Sequence, residues 1–427
     1  MTMPPKLLPT TFTATLVRGA VVASLLCSGV AGAQPQGPDT GLGAGAELTA
    51  QGRALIRGGK LKQAEETLLK AAKARGQSIE SLYELARVTF ASGDIKQAKN
   101  ACKALSAKDE HAVLTAVCQA RAFLLWRRAS RAQEFLDQAR ALDASHPEVL
   151  LAFADTKRVA GETSASKDAY QQLLGIEPDN ADAYFGLGEL NLVTPDLVAA
   201  KQAFANALSR APEWPDALYE LGKLESGAQA VTMLEKALAA RPDWLEARLA
   251  LGSARLKNGD SAGSEQVLRE VLRGHPDSAL AHAQLGVALE AKHDLVGAEP
   301  ELRLGLTTLP NDIDANLALA RVLAQTDRAD DAFAQFRTAA GLERLAPRAL
   351  IEAGVYALSI SRNALAEAFL AKAVERAPTS ALAQARYADA LLARGDKPAA
   401  KEHYKLALAG EGSIDRADIQ RRLAALK

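Results

Sequence analysis

Residues 181–212 read ADAYFGLGELNLVTPDLVAAKQAFANALSRAP. Apolar or small residues recur in it at helical spacing, first at Tyr184, Leu187 and Gly188, then at Ala200, Phe204 and Ala207. Spacings of three and four residues place such side chains on one face of an amphipathic helix. Pro212 then ends the second segment, because proline cannot continue the hydrogen-bond ladder of a helix. The stretch therefore predicts a hairpin of two helices.

The same pattern recurs along the chain with a period of 34 residues. The predicted repeats, numbered 1 to 11, are 45–78, 79–112, 113–146, 147–180, 181–214, 215–244, 245–278, 279–312, 313–346, 347–380 and 381–414. Position 8 is Gly or Ala in all eleven, position 20 is Ala or Ser, and position 24 is large and apolar except at Cys102. An alanine-rich composition alone does not explain why residue size is restricted at the same three positions of every repeat. The pattern therefore indicates a structural repeat.

Small residues at positions 8 and 20 allow close helix pairing, and the residue at position 24 fills the remaining space. This pattern, with proline at position 32 in six repeats, resembles the tetratricopeptide repeat. The resemblance implies an all-α fold, a right-handed α-solenoid of stacked helix-turn-helix repeats. It also implies a concave groove that accepts peptides or partner helices. Residues 415–427 are predicted to form a C-terminal capping helix that shields the last repeat.

Repeat 6 is four residues shorter than the others, and the deletion falls near the turn between its helices. Its apolar positions persist in both halves, so both helices are expected to form. Either their connection is tighter or one helix is shorter by about one turn. We therefore expect its packing to differ from that of its neighbours and to divide the solenoid into two cooperative blocks.

The N-terminus has the pattern of a secretory signal. Lys6 and Arg18 precede a short apolar run, and the small residues Ala31-Gly32-Ala33 follow it. The apolar run is short for a membrane span, which predicts a signal peptide over 1–33 with cleavage after Ala33. Residues 34–44 are predicted to be a flexible leader. We therefore expect an exported bacterial protein, periplasmic or secreted, whose mature chain has no stable membrane span.

Charge gives no support for nucleic-acid binding, because Lys plus Arg and Asp plus Glu both number 51. The charges are nevertheless unevenly distributed. Residues 45–146 carry 17 basic and 11 acidic groups, whereas residues 147–244 carry 8 and 15. This asymmetry predicts either attraction of an acidic partner to the first repeats or self-association through the oppositely charged regions.

Catalytic and metal-binding motifs are not found in the sequence. The six histidines lack the spacing of a metal site, and no phosphate-binding or nucleophile motif follows a strand pattern. We therefore predict no enzymatic activity and no cofactor. Two alternatives remain open: a superhelical cleft used for sugar binding or hydrolysis, and a structural spacer without a dedicated ligand.

The resemblance places positions 2, 5, 9 and 12 of each repeat in the groove. In repeats 1 to 3 these positions supply an arginine ladder flanked by apolar residues, and the predicted partner groove is Arg53, Tyr83, Arg87, Phe90, Arg121 and Leu124. Arginine and aromatic residues are frequent at binding hot spots. The alternative is a solvated helix face with local ion pairs such as Glu84 with Arg87.

Two cysteines remain after removal of the predicted signal. Cys102 occupies position 24 of repeat 2, and Cys118 lies in the next first helix, so stacked hairpins bring these elements together. Either they form a disulfide in an oxidising compartment or they are two small buried apolar residues.

Together these patterns predict a non-catalytic scaffold for protein–protein interaction in the cell envelope. A peptide or partner helix would bind in the concave groove. By analogy with the family, such a scaffold would serve a secretion, pilus or polysaccharide-export assembly.

Overall fold

The computed structural model describes residues 43–73, 79–91, 95–109, 112–126 and 128–426. The predicted signal peptide, its cleavage site after Ala33 and most of the predicted leader lie outside these residues. The leader was predicted to extend to residue 44, but the first helix already begins at Gly43. The structure divides into two compact units, of which the first ends at Ala247 and the second begins at Arg248.

The described residues form helices and turns, with one isolated bridge between Ser380 and Glu411. In repeats 1 to 6 the helices are α1 Gly43–Arg57, α2 Leu61–Lys73, α3 Ile79–Ala91, α4 Ile95–Lys108, α5 Val113–Leu125, α6 Ala129–Asp143, α7 Pro147–Val159, α8 Thr163–Ile176, α9 Ala181–Val193, α10 Leu197–Arg210, α11 Pro215–Leu224 and α12 Gly227–Ala240. In repeats 7 to 11 they are α13 Leu245–Lys257, α14 Ser261–Gly274, α15 Ala279–Ala291, α16 Leu295–Thr308, α17 Ile313–Gln325, α18 Ala329–Leu342, α19 Arg348–Ser359, α20 Asn363–Arg376, α21 Ala381–Ala393 and α22 Lys397–Ala409, followed by the capping helix α23 Arg416–Ala424.

The size rules of the sequence determine how each hairpin packs. A Cβ placed on Gly188, at position 8 of repeat 5, would lie 2.5 Å from the ring of Phe204 at position 24. The same substitution at Gly354 would come within 2.3 Å of Leu370 Cγ. Real Cβ contacts are not this short, so the large side chain occupies the space that a bare glycine backbone leaves. The fold is therefore an all-α solenoid of helical hairpins.

The turns between paired helices follow from glycine and aspartate. Gly259 adopts a φ of +82°, a conformation that glycine reaches without steric strain. The next residue, Asp260, accepts a hydrogen bond from the backbone N–H of Gly263 at 2.8 Å and so caps α14. Gly395 and Asp396 repeat the arrangement before α22.

Repeat 6 absorbs most of its deletion in its first helix and the rest in the turn that follows. Helix α11 has 10 residues, whereas the first helices of repeats 4 and 5 have 13, and only Glu225 and Ser226 separate it from the 14-residue α12. Both outcomes expected from the sequence are therefore observed, because the first helix is three residues shorter and the connection is one residue shorter than residues 194–196 of repeat 5. The boundary between the compact units falls three residues after this repeat.

The capping helix α23 covers the end of the second unit. Ile419 is buried in a cluster with Tyr404 and Leu391, and Leu423 and Leu426 pack against it. The partly exposed Arg422 of this helix bonds Asp389 at 2.8 Å. Among the described helices, none has the length and apolar content needed to cross a bilayer.

Candidate interaction surfaces

In the first unit, repeat 1 contacts repeat 6. A Cβ placed on Gly59, in the turn between α1 and α2, would lie 2.9 Å from Pro215 Cγ. Ile56 belongs to the same buried cluster as Phe185 of repeat 5 and Trp214, the residue just before α11. Contacts over this many repeats bring the two ends of the first unit together, so its inner face is covered by its own side chains.

An ionic network lies across this inner face and is centred on Glu148 of α7. The hydroxyl of Tyr83 donates to Glu148 Oε2 at 2.8 Å, and Arg87 Nη1 lies 3.2 Å from Oε1. Arg121 Nη2 approaches Oε2 at 3.3 Å. Tyr83 is 2% exposed and Arg87 only 1%. One carboxylate of repeat 4 thus receives groups from repeats 2 and 3.

The network extends in both directions from Arg87. Its guanidinium lies 3.3 Å from Glu84, which also accepts a hydrogen bond from Arg53 at 2.8 Å. On the other side it lies 3.7 Å from Asp182 of repeat 5. Burial lowers the pKa of Arg87, but the surrounding carboxylates Glu84, Glu148 and Asp182 outweigh that effect and raise it. Burial raises the pKa of Asp182 despite the nearby arginine.

Inside this unit, charges of the basic region of the sequence pair with charges of the acidic region. The basic residues of repeats 2 and 3 meet carboxylates of repeats 4 and 5, where the chain carries its excess of acidic groups. The attraction that predicted an acidic partner or self-association therefore also acts within one chain.

The expectation that the arginine ladder is exposed is wrong. Arg87 and Arg121 are fully buried in the network, and Tyr83 and Phe90, which we placed in the partner groove, lie in the apolar core. Leu124 is half-buried, and Arg53 retains a partly exposed side chain. A helix projection considers one repeat at a time and cannot detect repeats that approach from across the unit. The charge asymmetry was the signal that pointed to this contact.

The equivalent face of the second unit is more open. Arg321 occupies position 9 of repeat 9, as Arg87 does in repeat 2, yet 34% of its side chain is exposed. It donates hydrogen bonds to Glu290 at 2.9 Å and to Glu352 at 3.1 Å, one on each neighbouring repeat. Val355, at the same position of repeat 10, is 40% exposed. We call Arg321, Val355 and the exposed Leu280 and Leu382 at position 2 the second-unit face.

A polar brace recurs between successive repeats of the second unit. The side chain at position 4 bonds the carbonyl of the preceding repeat's proline and the side chain at position 23 of its own repeat. The three sets are His282 with Pro276 and Glu301, Asn316 with Pro310 and Gln335, and Gln384 with Pro378 and His403. An open cavity of about 610 Å³ lies beside His282 and is lined in part by Arg269, Leu272 and Leu285. No group of described residues is arranged to hold a metal ion.

Cys102 and Cys118 are joined by a disulfide, with a Cα–Cα distance of 5.5 Å. The bridge links α4 to α5 and so connects repeats 2 and 3. Cys102 is thus bonded where other repeats place a large apolar side chain, which explains the one exception at position 24.

The paired helices and their repeated contacts define an α-solenoid repeat protein. Sequence models of the tetratricopeptide repeat match residues 223–286, and also residues 151–216 and 317–381. The chain is a tetratricopeptide-repeat protein. Repeats of this family indicate a scaffold for protein–protein interaction, in a fold that is typically non-catalytic.

Several solved structures are similar to this chain. Yeast Tom70 shares 11% identity with a TM-score of 0.45, over 91% of this chain and 96% of its own. MamA from Desulfovibrio magneticus RS-1 shares 23% identity over 38% of this chain and 95% of its own, with a TM-score of 0.33. YrrB, described as a TPR protein with an unusual peptide-binding site, shares 19% identity over 41% and 93%, with a TM-score of 0.34. A comparison with curated proteins finds no match.

Proposed function

We propose that this protein is a non-catalytic scaffold of the cell envelope that binds a peptide or partner helix on the second-unit face. The observation that carries the proposal is the exposure of Val355 at position 9 of its repeat. Arg87, at the same position in the first unit, is buried. Exposed apolar side chains grouped on one surface commonly mark interaction sites.

The chemistry of this face defines the kind of segment it suits. Arg321 is held between Glu290 and Glu352, so its guanidinium is already oriented but remains one-third exposed. Pre-oriented arginines beside apolar side chains are typical of binding hot spots. The partner segment would therefore carry apolar side chains for Val355 and Leu382 and an uncharged hydrogen-bond acceptor near Arg321.

The envelope location rests on two supporting features. The N-terminal sequence combines basic residues, a short apolar run and a small-residue ending at Ala33. A disulfide between Cys102 and Cys118 suits an oxidising compartment. N-terminal sequencing of the chain recovered from the periplasm or medium should give a start at Gln34. Recovery of the chain in the cytoplasm with Met1 retained would contradict the proposal.

A site-specific photo-cross-linker tests the binding face. Placed at Val355 in the full chain, it should capture a discrete envelope protein, and Arg321→Ala should reduce the yield. The matched control is Leu406, which is comparably exposed but lies on the second helix of its repeat, at position 26. Equal capture at both positions, or capture at Leu406 alone, would show that the second-unit face is not the binding surface.

A further inference from the structure

The open cavity between repeats 7 and 8 of the second unit has a volume of about 610 Å³. Volumes of this size are typical of small-molecule sites in proteins. Helix α14 supplies Arg269, Leu272 and Arg273 to the lining, whereas α15 and α16 supply Leu285 and Glu301. None of the lining residues occupies position 2, 5, 9 or 12 of its repeat. The cavity is therefore distinct from the predicted groove and from the second-unit face.

Part of the lining is apolar and consists of Leu272, Pro276 and Leu285. Leu285 is buried and Leu272 is half-buried, whereas Pro276 is exposed at the edge. A hydrocarbon chain that covers these side chains removes apolar surface from water, which favours binding. The cavity therefore suits a ligand with an apolar body.

Two arginines add positive charge to the same cavity. Arg269 and Arg273 are one helical turn apart on α14, so they share a face, and their side chains are 53% and 77% exposed. Arg269 bonds Glu265 at 2.7 Å, but Glu265 also bonds Lys292 and is thus shared between two cations. Arg273 lies 3.7 Å from Glu270, beyond hydrogen-bond distance. Both guanidinium groups can therefore bind an anionic group in the cavity, and a carboxylate fits their fork of N–H donors.

The carboxylate of the lining, Glu301, is already engaged. It bonds Nδ1 of His282, whose Nε2 lies 2.8 Å from the carbonyl oxygen of Pro276. Because both ring nitrogens face acceptors, both donate, and the imidazolium balances the charge of Glu301. The charge that this cavity offers to a ligand therefore comes from Arg269 and Arg273.

This pair of arginines distinguishes repeat 7 from the others. Among the eleven repeats, it alone has arginine at both position 25 and position 29. Repeat 8 has Arg303 at position 25, bonded to Glu299 as Arg269 is bonded to Glu265, but Thr307 at position 29. The paired arginines are therefore not required by the packing of the repeat.

We propose that this cavity binds a small amphipathic carboxylate. The carboxylate accepts hydrogen bonds from Arg269 and Arg273, and its hydrocarbon chain lies against Leu272 and Leu285. Because the cavity and the second-unit face have no residue in common, the proposal does not depend on the function proposed above.

Isothermal titration calorimetry of the full chain with decanoate tests the proposal. Decanoate combines a carboxylate with an unbranched apolar chain and should bind. Decanol, which lacks the charge, and acetate, which lacks the chain, should each bind at least about tenfold more weakly. Absence of decanoate binding, or equal binding by decanol or acetate, would overturn the proposal.

Arginine variants then locate the ligand. Arg269→Ala combined with Arg273→Ala should weaken decanoate binding at least about tenfold, because the carboxylate loses its donors. Both side chains are more than half exposed, so the fold should be retained, which circular dichroism checks. If the double variant is unfolded, Arg273→Gln replaces it, since that side chain is the more exposed of the two.

The matched control is Arg303→Ala, which removes the equivalent arginine–glutamate pair of repeat 8 and should leave the affinity for decanoate unchanged. Undiminished binding by a folded variant at Arg269 and Arg273 would show that decanoate binds elsewhere. An equal loss with Arg303→Ala would show that the effect is one of overall charge, and either result would overturn the proposal.

Discussion

Arg87 and Arg321 occupy the same position of the same repeat type and have opposite environments. Arg87 is buried among carboxylates of repeats 2, 4 and 5, whereas Arg321 is one-third exposed and bonds glutamates of the two adjacent repeats. The difference arises in the repeats that face each residue, since repeats 4 and 5 supply Glu148 and Asp182 to Arg87. The exposure of a groove residue in this solenoid is therefore set by distant repeats and not by its own.

The largest expected effect comes from removing the centre of the buried network. Glu148→Ala leaves Arg87 and Arg121 without a shared acceptor in a buried site, which should lower the free energy of unfolding of the first unit by about 3–5 kcal/mol. All three tryptophans, Trp126, Trp214 and Trp244, lie in this unit. Tryptophan fluorescence during urea denaturation therefore reports its stability selectively.

The matched change in the second unit is Glu352→Ala. It removes one partly exposed partner of Arg321 and leaves Glu290, so the loss should stay below about 1 kcal/mol by circular dichroism. Equal losses for the two variants would show that the two units do not differ in the way described.

A pH effect on stability is expected in the first unit. Burial raises the pKa of Glu189 to about 8, and Arg158, 3.1 Å away, offsets this only in part. Because the folded-state pKa lies above the ordinary value of 4.5, the folded state holds the proton more tightly. The contribution of Glu189 to the free energy of unfolding should therefore be fully present below pH 4.5 and should be lost as the pH rises to about 8.

Glu189→Gln removes the titrating proton and should flatten that decline, as followed by tryptophan fluorescence in urea at a series of pH values. An unchanged slope would assign the pH dependence to another group, such as Asp182, whose pKa burial also raises.

The smallest effect concerns the two histidines of the second-unit braces. Burial lowers the pKa of His282, but the hydrogen bonds to Glu301 and to the Pro276 carbonyl outweigh it, so the net pKa lies above 6.5. His403 occupies the equivalent brace with the neutral Gln384 as partner, and burial lowers its pKa below 6.5. NMR titration should show His282 retaining its proton at higher pH than His403.

Glu301→Gln should remove most of that difference by lowering the pKa of His282. Because the folded-state pKa of His282 is raised, its contribution to stability is present below about pH 6.5 and is lost above the folded pKa. The pair is surface-exposed in part, so the contribution is expected to be a fraction of about 1 kcal/mol. Identical titrations of the two histidines would contradict the assigned role of Glu301.

The hairpins could be predicted from the sequence because their determinants are local. Gly188 and Phe204 lie 16 residues apart in one repeat, and their sizes alone specify how the two helices pair. The closure of the first unit could not be located in the same way. Tyr83 and Glu148 are 65 residues apart, and their contact depends on the rotation accumulated over the repeats between them. Only the opposite charges of the two regions gave a sequence signal of that contact.

The disulfide required both kinds of information. The repeat register placed Cys102 and Cys118 on neighbouring helices, but whether their Cβ atoms face each other depends on side-chain geometry. The sequence therefore left two alternatives, and the structure contains the bridge.

The recurring brace of repeats 8, 9 and 11 has a consequence for how repeats can be added or lost in evolution. Each brace lets the incoming repeat bond the proline carbonyl of the one before it, using the same two positions but different residues: histidine with glutamate, asparagine with glutamine, glutamine with histidine. The residue types at this junction can therefore differ, whereas their two positions in the repeat stay the same. Duplication or loss of a whole 34-residue segment at these junctions would keep the position-4 side chain beside the proline carbonyl of the preceding repeat. An insertion of another length at the junction would move these two groups apart.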